Sequence, residues 1–447
     1  MIRKIIEKLA GKNIAILGFG REGKSTYHFL KKYMENPKIT ILDQNRIDLE
    51  DDTITVVEGE HYLDHLEDFD VIIKTPGVSL KDRNIEEIKE KITSQLELLL
   101  EVNKENIIGI TGTKGKSTTS SLTYEVLKDQ LGDVFLLGNI GVPVLEEIEH
   151  YKENTTLVIE MSSHQLEFIK QSPHIACILN LYQDHLDHAG SLEHYHQNKM
   201  NIFKYQTAAD YRIYSDDNEY LNKKIKEFEY KGIPYTVRFD NEKLEGNTTR
   251  RMENKVLINN ELVYIDENRR ILGDHNFKNI MFVLTIVKIL GLDFERAKKV
   301  IENFQGLKYR MEFITKSHGI DFYNDTIATI PDATINAVHS IPNAETLIIG
   351  GLDRGIDYQD FIEFLKESNL RTIICMPTTG TNIGHILEMT SNKNIRYANT
   401  LEEAYQISIE ETAPEKACIL SPAAASYEFF KNFEEKGKAF EEIVKNG

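Results

Sequence analysis

The chain has 447 residues, of which 53 are Lys or Arg and 71 are Asp or Glu, for a formal net charge of −18. This acidic balance argues against nonspecific binding to nucleic acid, which needs a basic surface, and gives no reason to expect an anionic membrane as partner. With 41% apolar residues the chain can bury several cores, its length predicts two to four domains, and no apolar run approaches the roughly 20 residues of a membrane-spanning helix.

The first 100 residues alternate short apolar strands with polar helices, a pattern that is typical of βα repeats around a parallel sheet. Residues 1–9 predict an amphipathic helix with interspersed charges rather than a signal peptide. Strands are predicted at residues 13–18, 39–43, 53–57 and 71–75. Residues 96–103 are expected to end a helix and link this series to the next.

The turn after the first predicted strand is rich in glycine. Its sequence, GFGREGKS at residues 18–25, fits both the phosphate-loop pattern G-x-x-x-x-G-K-[ST] and the dinucleotide pattern G-x-G-x-x-G. Asp43 ends a strand 20 residues past Gly23, which is Rossmann-like spacing for an acid that contacts a nucleotide ribose or base. The turn therefore suits a nucleotide that is recognised but not hydrolysed, with a plain βα turn as the alternative.

A second βα series opens with IIGITGTKGKSTT at residues 107–119. A strand, a tight glycine turn and a helix start offer backbone N–H groups and a helix N-terminus to phosphate oxygens. The strict phosphate-loop pattern fails because Ile110 stands where it requires glycine. However, the strand at residues 155–160 ends in Glu160, an acid that can hold a metal ion beside a triphosphate. We therefore expect this loop to bind ATP, with Lys116 on the terminal phosphates and Ser117 on Mg²⁺.

Later strands complete the pattern of an α/β protein, with a third series beginning near Gly306. They are predicted at residues 134–137, 157–161, 175–179, 210–217, 319–323, 346–349, 371–376 and 416–420, with a strand-rich stretch at 235–264. Within that stretch, the polar residues 241–254 are expected to form an exposed loop. The apolar surroundings of Cys177, Cys375 and Cys418 predict buried, reduced thiols, as in a cytoplasmic protein.

The segment NLYQDHLDH at residues 180–188 follows a strand and is rich in potential metal ligands. A zinc site that also uses His194 and His196 is one interpretation, but there is no thiolate and no H-E-x-x-H spacing. Beside the ATP phosphates, one imidazole of this segment could instead ligate a second Mg²⁺.

Three further residues have both a structural and a chemical interpretation. Judged from its spacing alone, Lys199 is expected to be a solvated lysine on a helix surface. Arg310, at the junction of the second and third series, could form a hinge ion pair or contact ATP. Asp325 follows a strand and could simply cap the next helix, since Asp is a good N-cap.

Taken in order, these motifs resemble the Mur ligase family along nearly the whole chain. Residues 111–117 are similar to its ATP loop, EMSSHQLE at residues 160–167 to its magnesium-binding strand end, and LSPAAASY at residues 420–427, continuing to KNF at 431–433, to its glutamate-adding branch. The resemblance implies three domains. They are a Rossmann-like domain for the UDP end of the substrate at residues 1–100, a central P-loop ATPase domain with a mostly parallel sheet at 101–306, and a C-terminal Rossmann-like α/β domain for glutamate at 307–447.

The resemblance also implies a reaction in peptidoglycan precursor synthesis. ATP would phosphorylate the alanyl carboxylate of UDP-N-acetylmuramoyl-L-alanine, and the amine of glutamate would attack the acyl phosphate to give an amide. Phosphate is a better leaving group than hydroxide or oxide, and domain closure would keep water from the reactive intermediate. The expected partners are these small molecules, not nucleic acid or a membrane, and the enzyme is expected to be a cytoplasmic monomer.

Site residues follow from the resemblance by position. In the catalytic and metal-binding set, Ser117 and Glu160 would hold the first Mg²⁺, His185 the second, and Lys199 would carry a CO₂-derived carbamate that ligates magnesium. The ATP contacts are Gly112, Thr113, Lys114, Gly115, Lys116, Ser117, Thr118, Asn276, Asn279, Arg310 and Asp325. The contacts to the UDP-muramoyl substrate are Phe19, Gly20, Asp43, Thr75, Pro76, Gly77, Asn139 and His185. The glutamate contacts are Thr329, Arg354, Ser426 and Phe433.

Two departures from the family bear on glutamate. Ile327 and Arg354 stand where the family commonly has Lys, so a cation is lost near an anionic substrate and a planar fork replaces a point charge. Ligation of L-glutamate therefore remains an alternative, as does another branch such as folylpolyglutamate synthase, although that branch begins with the ATPase domain. An NAD-dependent dehydrogenase that uses the Gly18 turn and a non-catalytic nucleotide sensor are the alternatives from other classes.

Overall fold

The computed structural model describes residues 1–81, 83–182, 192–240, 245–353, 356–426 and 430–447, with only the backbone of residues 192 and 332. The chain forms two compact units. The first comprises Met1–Asn268 and His275–Glu302, and the second comprises Arg269–Asp274 and Asn303–Gly447. No helix among the described residues is both long enough and apolar enough to cross a membrane.

The amino-terminal part of the first unit is a parallel sheet flanked by helices. Its strands are β1 (Asn13–Leu17), β2 (Lys38–Asp43), β3 (Thr55–Glu58), β4 (Val71–Lys74) and β5 (Ile92–Thr93), and its helices are α1 (Ile2–Leu9) and α2 (Arg21–Tyr33). The strand order β3-β2-β1-β4-β5 is that of a Rossmann-like sheet. The connections from β1 and β4 therefore diverge at the carboxyl edge, where such sheets bind ligands.

A second sheet follows in the same unit. Its strands are β6 (Ile107–Thr111), β7 (Val134–Gly138), β8 (Thr156–Glu160), β9 (Ile175–Ile178), β10 (Tyr211–Ser215), β11 (Ile233–Arg238), β12 (Asn247–Met252), β13 (Lys255–Ile258) and β14 (Glu261–Ile265), in the order β14-β13-β12-β11-β10-β9-β6-β8-β7. The helices are α3 (Gln95–Asn103), α4 (Lys116–Leu131), α5 (Ser163–Leu166), α6 (Leu192–Lys204), α7 (Glu219–Lys226), α8 (Asp274–Ile289) and α9 (Phe294–Asn303). All pairings from β12 to β7 are parallel, and β13 and β14 add antiparallel strands at one end.

Two sequence expectations in this unit are corrected. The predicted loop at residues 241–254 contains β12, in which Thr248, Thr249 and Arg250 are buried, whereas residues 241–244 lie outside the described part. The polar strand is tolerated because several of its buried atoms find partners: Thr249 Oγ1 lies 2.8 Å from Thr285 Oγ1, and Arg250 Nη2 donates to Asn260 Oδ1 at 3.2 Å. Residues 96–103 belong to helix α3, whose leucines are part of the hydrophobic core rather than a linker.

The second unit contains a third sheet with a core on each face. Its strands are β15 (Glu312–Ser317), β16 (Ile320–Asn324), β17 (Ala344–Ile349), β18 (Thr372–Cys375), β19 (Asn394–Tyr397) and β20 (Ala417–Leu420), in the order β15-β16-β20-β17-β18-β19. The helices are α10 (Pro331–Ser340), α11 (Gln359–Glu367), α12 (Thr379–Thr390), α13 (Leu401–Glu411) and α14 (Phe433–Asn446). Leu347 and Ile349 pack into one core cluster and Ile348 into the other, because side chains alternate along a strand.

The three cysteines are confirmed as buried, free thiols. Burial raises the pKa of the Cys375 and Cys418 thiols to about 12, so the reactive thiolate is disfavoured at neutral pH.

Candidate active site

The loop between β6 and α4 is held by side chains from another strand end. Asn180, which lies just beyond β9, accepts a hydrogen bond from Lys114 N at 2.8 Å and donates one to Lys114 O at 2.9 Å. Thr113 Oγ1 accepts a hydrogen bond from Tyr182 N at 3.0 Å. The loop residues 112–115 are thus fixed from outside the loop.

Gly115 is the N-cap of α4 and requires the absence of a side chain. Its φ is +85°, in the left-handed region, and an added Cβ would lie 2.7 Å from Asn279 Oδ1. The predicted nucleotide-base residues lie beside it, because Asn279 Nδ2 donates to Asn276 Oδ1 at 3.2 Å and both are buried. The structure therefore places Asn279 against Gly115, at the end of the predicted ATP loop.

Lys116 begins α4 and folds back over the loop. Its ammonium donates to Gly112 O and to Thr113 O, each at 3.0 Å. Ser117 and Thr118 follow in the first turn of the helix. The positive charge therefore lies over the loop whose N–H groups, with the helix N-terminus, suit an anion.

Glu160 ends β8, which pairs with β6 next to the loop. Its side chain is fully buried, and Oε1 accepts a hydrogen bond from Asn139 Nδ2 at 2.7 Å. Oε2 is buried without a hydrogen-bond partner among the described residues. A buried carboxylate oxygen without a partner is costly, so a cation at Oε2 would complete the site and the donor type fits Mg²⁺.

Lys199 of α6 lies at the same strand end rather than on a solvated face. It is 1% exposed, and its Nζ is 3.5 Å from Thr111 Oγ1, in the last residue of β6. The structure thus brings Lys116, Glu160 and Lys199 to the carboxyl edge of one sheet.

The histidines of the second predicted metal site are only partly described. His185 lies outside the described residues. His196, part of the alternative zinc interpretation, is buried, and its Nε2 lies 3.2 Å from Tyr182 O.

The predicted UDP-site residues lie at the carboxyl edge of the amino-terminal sheet. Asp43 accepts hydrogen bonds from Phe19 N at 2.6 Å and from Asn45 N at 2.8 Å. Thr75, after β4, donates from N and Oγ1 to Leu17 O at 2.9 and 3.0 Å. Phe19, Asp43 and Thr75 therefore lie around the point where the connections diverge. Gly20 and Gly77 are exposed at this edge and Pro76 is half-buried.

A buried ionic cluster in the first unit was missed by the sequence analysis. Lys74 is 4% exposed and its Nζ is 3.4 Å from Glu167 Oε2, while burial raises the pKa of Glu22 to about 7. Lys74 and Glu22 line a pocket together with Pro76 and Gln165. The signal was present, because a lysine ends the otherwise apolar strand β4.

The remaining predicted residues lie in the second unit. Asp325 accepts hydrogen bonds from Met311 N at 3.0 Å and from the Ser421 hydroxyl at 2.7 Å, and burial raises its pKa to about 7. Both of its oxygens are thus engaged. Arg310 has its Nε buried without a hydrogen-bond partner among the described residues.

The glutamate candidates are spread over three segments of this unit. Thr329 follows β16 and is half-buried, and Phe433 begins α14. Ser426 follows β20, and its hydroxyl is buried without a partner among the described residues. Arg354 lies outside the described residues.

Residues 110–287 match the Mur ligase middle domain. The chain is 31% identical to a UDP-N-acetylmuramoylalanine–D-glutamate ligase of Caldicellulosiruptor bescii, over 98% of each chain. It is 32% identical to the enzyme of the same name from Bacillus cytotoxicus, over 99% of each chain.

Solved structures share the fold at lower identity. UDP-N-acetylmuramate-alanine ligase from Thermotoga maritima superposes with a TM-score of 0.58 at 20% identity, covering 97% of this chain and 99% of that one. The MurF ligase of the same organism gives 0.57 at 17% identity, covering 97% and 95%. The α/β architecture with mostly parallel sheets is therefore that of these ligases.

Proposed function

Because this chain belongs to the Mur ligase family of ATP-dependent amide ligases, we propose that it joins D-glutamate to the alanyl carboxyl group of UDP-N-acetylmuramoyl-L-alanine. ATP transfers its γ-phosphoryl group to that carboxylate. The glutamate amine then attacks the acyl phosphate, loses a proton and expels phosphate. The products are an amide, ADP and phosphate.

One observation supports this proposal above the others. One buried oxygen of Glu160 has no hydrogen-bond partner among the described residues, and it lies with the ammonium of Lys116 at neighbouring strand ends, beside a preformed loop of N–H donors. This combination suits a triphosphate with its metal ion, since phosphoryl transfer depends on positioning and charge neutralisation. A dehydrogenase that uses the Gly18 turn leaves these groups without a role.

For the metal ions, we assign Ser117 and Glu160 to one Mg²⁺, and His185 with a carbamate on Lys199 to a second. When bound, Mg²⁺ supplies positive charge that neutralises the phosphate oxygens. Lys199 gains its carbamate when the neutral amine adds to CO₂ and releases a proton, so that a cation becomes an oxygen ligand. Its buried position beside Thr111 supports this role.

The other assignments retain the positions given above. Asn276, Asn279, Arg310 and Asp325 serve the nucleoside and phosphates of ATP. The loops that contain Phe19, Gly20, Asp43, Thr75, Pro76, Gly77 and Asn139 serve the UDP-muramoyl substrate, and Thr329, Arg354, Ser426 and Phe433 serve glutamate. We also propose the three domains at 1–100, 101–306 and 307–447, a monomer, and a cytoplasmic location.

The test is ADP release by the purified protein with Mg²⁺ and ATP. Release should require both UDP-N-acetylmuramoyl-L-alanine and glutamate, and D- and L-glutamate should be compared as acceptors. ADP release that does not depend on one of the two substrates would overturn the assignment. A preference for L-glutamate would change only the isomer assigned as the substrate.

A matched pair of variants tests which loop binds ATP. Lys116→Ala should abolish ADP release, while Lys24→Ala, in the other loop with a phosphate-binding pattern, should leave the KM for ATP unchanged. Lys24 is exposed. The opposite result would move ATP to the amino-terminal sheet.

A further inference from the structure

Helix α14 carries a buried lysine that has no counter-ion among the residues the structure describes. Lys436 is 3% exposed and its ammonium donates to Gly350 O at 2.9 Å. No acidic side chain among the described residues forms an ion pair with it, and burial lowers its pKa to about 8. An ammonium group has three N–H donors, so this one retains capacity for an anion.

The partner of Lys436 belongs to a turn at the carboxyl edge of the third sheet. Gly350 follows β17 and its N–H donates to Pro422 O at 2.9 Å, while Leu352 N donates to Ala425 O at 2.8 Å. An added Cβ at Gly351 would lie 2.3 Å from Ala425 O. The turn therefore lies against the segment that follows β20, the parallel neighbour of β17.

That segment ends at Ser426, whose buried hydroxyl has no partner among the described residues. Phe433 lies one turn before Lys436 on α14, and residues three apart lie on the same helix face. Two polar groups with unused hydrogen-bonding capacity, an ammonium and a hydroxyl, are therefore attached to adjoining segments at one sheet edge. This pairing suits a carboxylate.

We propose that Lys436 binds the side-chain carboxylate of the incoming glutamate. The proposal rests on the proposed ligase function. Thr329, Ser426 and Phe433 are neutral, and Arg354 is the one cation among the glutamate candidates. Glutamate carries two carboxylates, so a second cation is expected. The side-chain carboxylate is the end of glutamate farthest from the attacking amine, so a contact between this carboxylate and Lys436 leaves the amine free to react.

The main test is Lys436→Met, an apolar side chain of similar length. We expect the KM for glutamate to rise about 100-fold, because a buried charge–charge contact is lost, while the KM values for ATP and UDP-N-acetylmuramoyl-L-alanine stay unchanged. The melting temperature should stay equal or rise, because an uncompensated buried cation is removed. The control is Lys438→Met on the same helix, where the lysine side chain is 70% exposed, and it should change none of these values.

Glutamine as acceptor gives a readout that a purely structural role would not move. Wild-type enzyme should prefer glutamate over glutamine in kcat/KM, and Lys436→Met should reduce that ratio by about 100-fold, since the amide carries no charge for Lys436 to bind. An unchanged ratio would overturn the proposal.

A second variant covers the case in which Lys436→Met fails to fold. Lys436→Arg keeps the charge at all accessible pH values. The wild-type KM for glutamate should rise above about pH 8 as the ammonium loses its proton, and this rise should be absent in Lys436→Arg. Burial is the cause of the lowered pKa, with no contribution from a charged side chain of the described residues.

The outcomes separate the two proposals. If the variant raises all three KM values equally, or lowers the melting temperature without changing the KM for glutamate, Lys436 only braces the Gly350 turn and the inference is wrong. If the wild-type enzyme releases ADP without any response to glutamate, the ligase function itself is wrong and the role of Lys436 is rejected with it.

Discussion

At the scale of single residues, Glu160 carries the strongest chemical constraint. Its buried carboxylate has one oxygen bound to Asn139 and one without a partner among the described residues. Glu160→Gln keeps the shape and the Asn139 contact but removes the charge that a divalent cation needs. We expect roughly 10³-fold slower ADP release, because several kcal/mol of charge stabilisation are lost, and a higher Mg²⁺ requirement.

The control for this variant is Glu153→Gln, in the exposed loop before β8. It should match the wild type in both measurements. Steady-state ADP release across a Mg²⁺ titration decides the matter, and Glu160→Gln with wild-type turnover would exclude Glu160 as a metal ligand.

Asp325 gives the protein a pH-dependent stability. Burial raises its folded pKa to about 7 from 3.8, so between these values the folded state binds more protons than the unfolded state and stability falls as pH rises. Asp325→Asn removes this loss. We expect the variant to gain roughly 1–3 kcal/mol of unfolding free energy over wild type at pH 8, and much less at pH 5.

Urea denaturation followed by a probe in the second unit measures this difference. Asp321→Asn is the matched control, because Asp321 lies on the preceding strand β16 and is only half-buried. A gain for Asp325→Asn that is equal at both pH values would show that titration of Asp325 is not its cause.

Local sequence identified Lys116 and Glu160 as a pair, since a glycine turn before a helix and an acid at a strand end are both visible in the pattern. It did not predict that Asn139 binds Glu160, because this contact depends on β7 lying beside β8.

The burial of Lys436 was missed for a similar reason. A lysine in a helix rich in Glu and Lys has the sequence signature of a solvated side chain, and only the packing of α14 shows its burial.

At the scale of elements, helix α4 is flanked at each end by a glycine with a positive φ. Gly115 precedes it with φ +85° and Gly132 follows it with φ +77°. An added Cβ at Gly132 meets nothing within 4 Å, whereas at Gly115 it meets Asn279. The two positions therefore separate backbone strain from a steric clash.

We expect Gly132→Ala to cost roughly 1–2 kcal/mol of stability without changing the KM for ATP, because only the φ penalty applies. Gly115→Ala should cost more and also raise the KM for ATP, since the loop and Asn279 must move apart. Urea denaturation and ATP-dependent kinetics on the same two proteins measure this. Equal effects on the KM for ATP would contradict a role of the close approach in nucleotide binding.

Most strands are predicted by short apolar runs that alternate with helical segments. Strands β1, β4, β6, β8 and β17 lie where the sequence predicts them. Strand β12 could not be found in this way. Its residues are polar, and they form a strand because β11 and β13 supply ladders on both sides and Thr285 pairs with Thr249. Tertiary pairing overrides composition at such positions.

At the scale of the whole molecule, each sheet presents candidate residues at the carboxyl ends of its parallel strands, as open α/β sheets do. The sequence predicted three βα series but not the order of strands within them, because order is set by contacts between segments distant in the chain. The order shows that the turns after β1 and β4 flank one crevice. Phe19, Asp43 and Thr75 therefore lie around that one crevice, which spacing alone left open.

UDP added alone tests where the sugar nucleotide binds. We expect slower amide hydrogen exchange in the peptides containing Gly20 and Gly77, both exposed at this edge, and no change in the β15–β16 hairpin. Asp43→Ala should abolish the protection, because the Phe19 turn loses its anchor. Protection in the third sheet in place of the first would contradict the assignment.

The two hydrogen bonds between Asn180 and Lys114 have a consequence for the rate at which a nucleotide would associate with the loop. A loop that is already held in place loses little conformational freedom when a ligand binds. If ATP binds here as proposed, we expect its association not to wait for a rearrangement of the loop. Asn180 would then govern how quickly nucleotide enters at least as much as how tightly it stays.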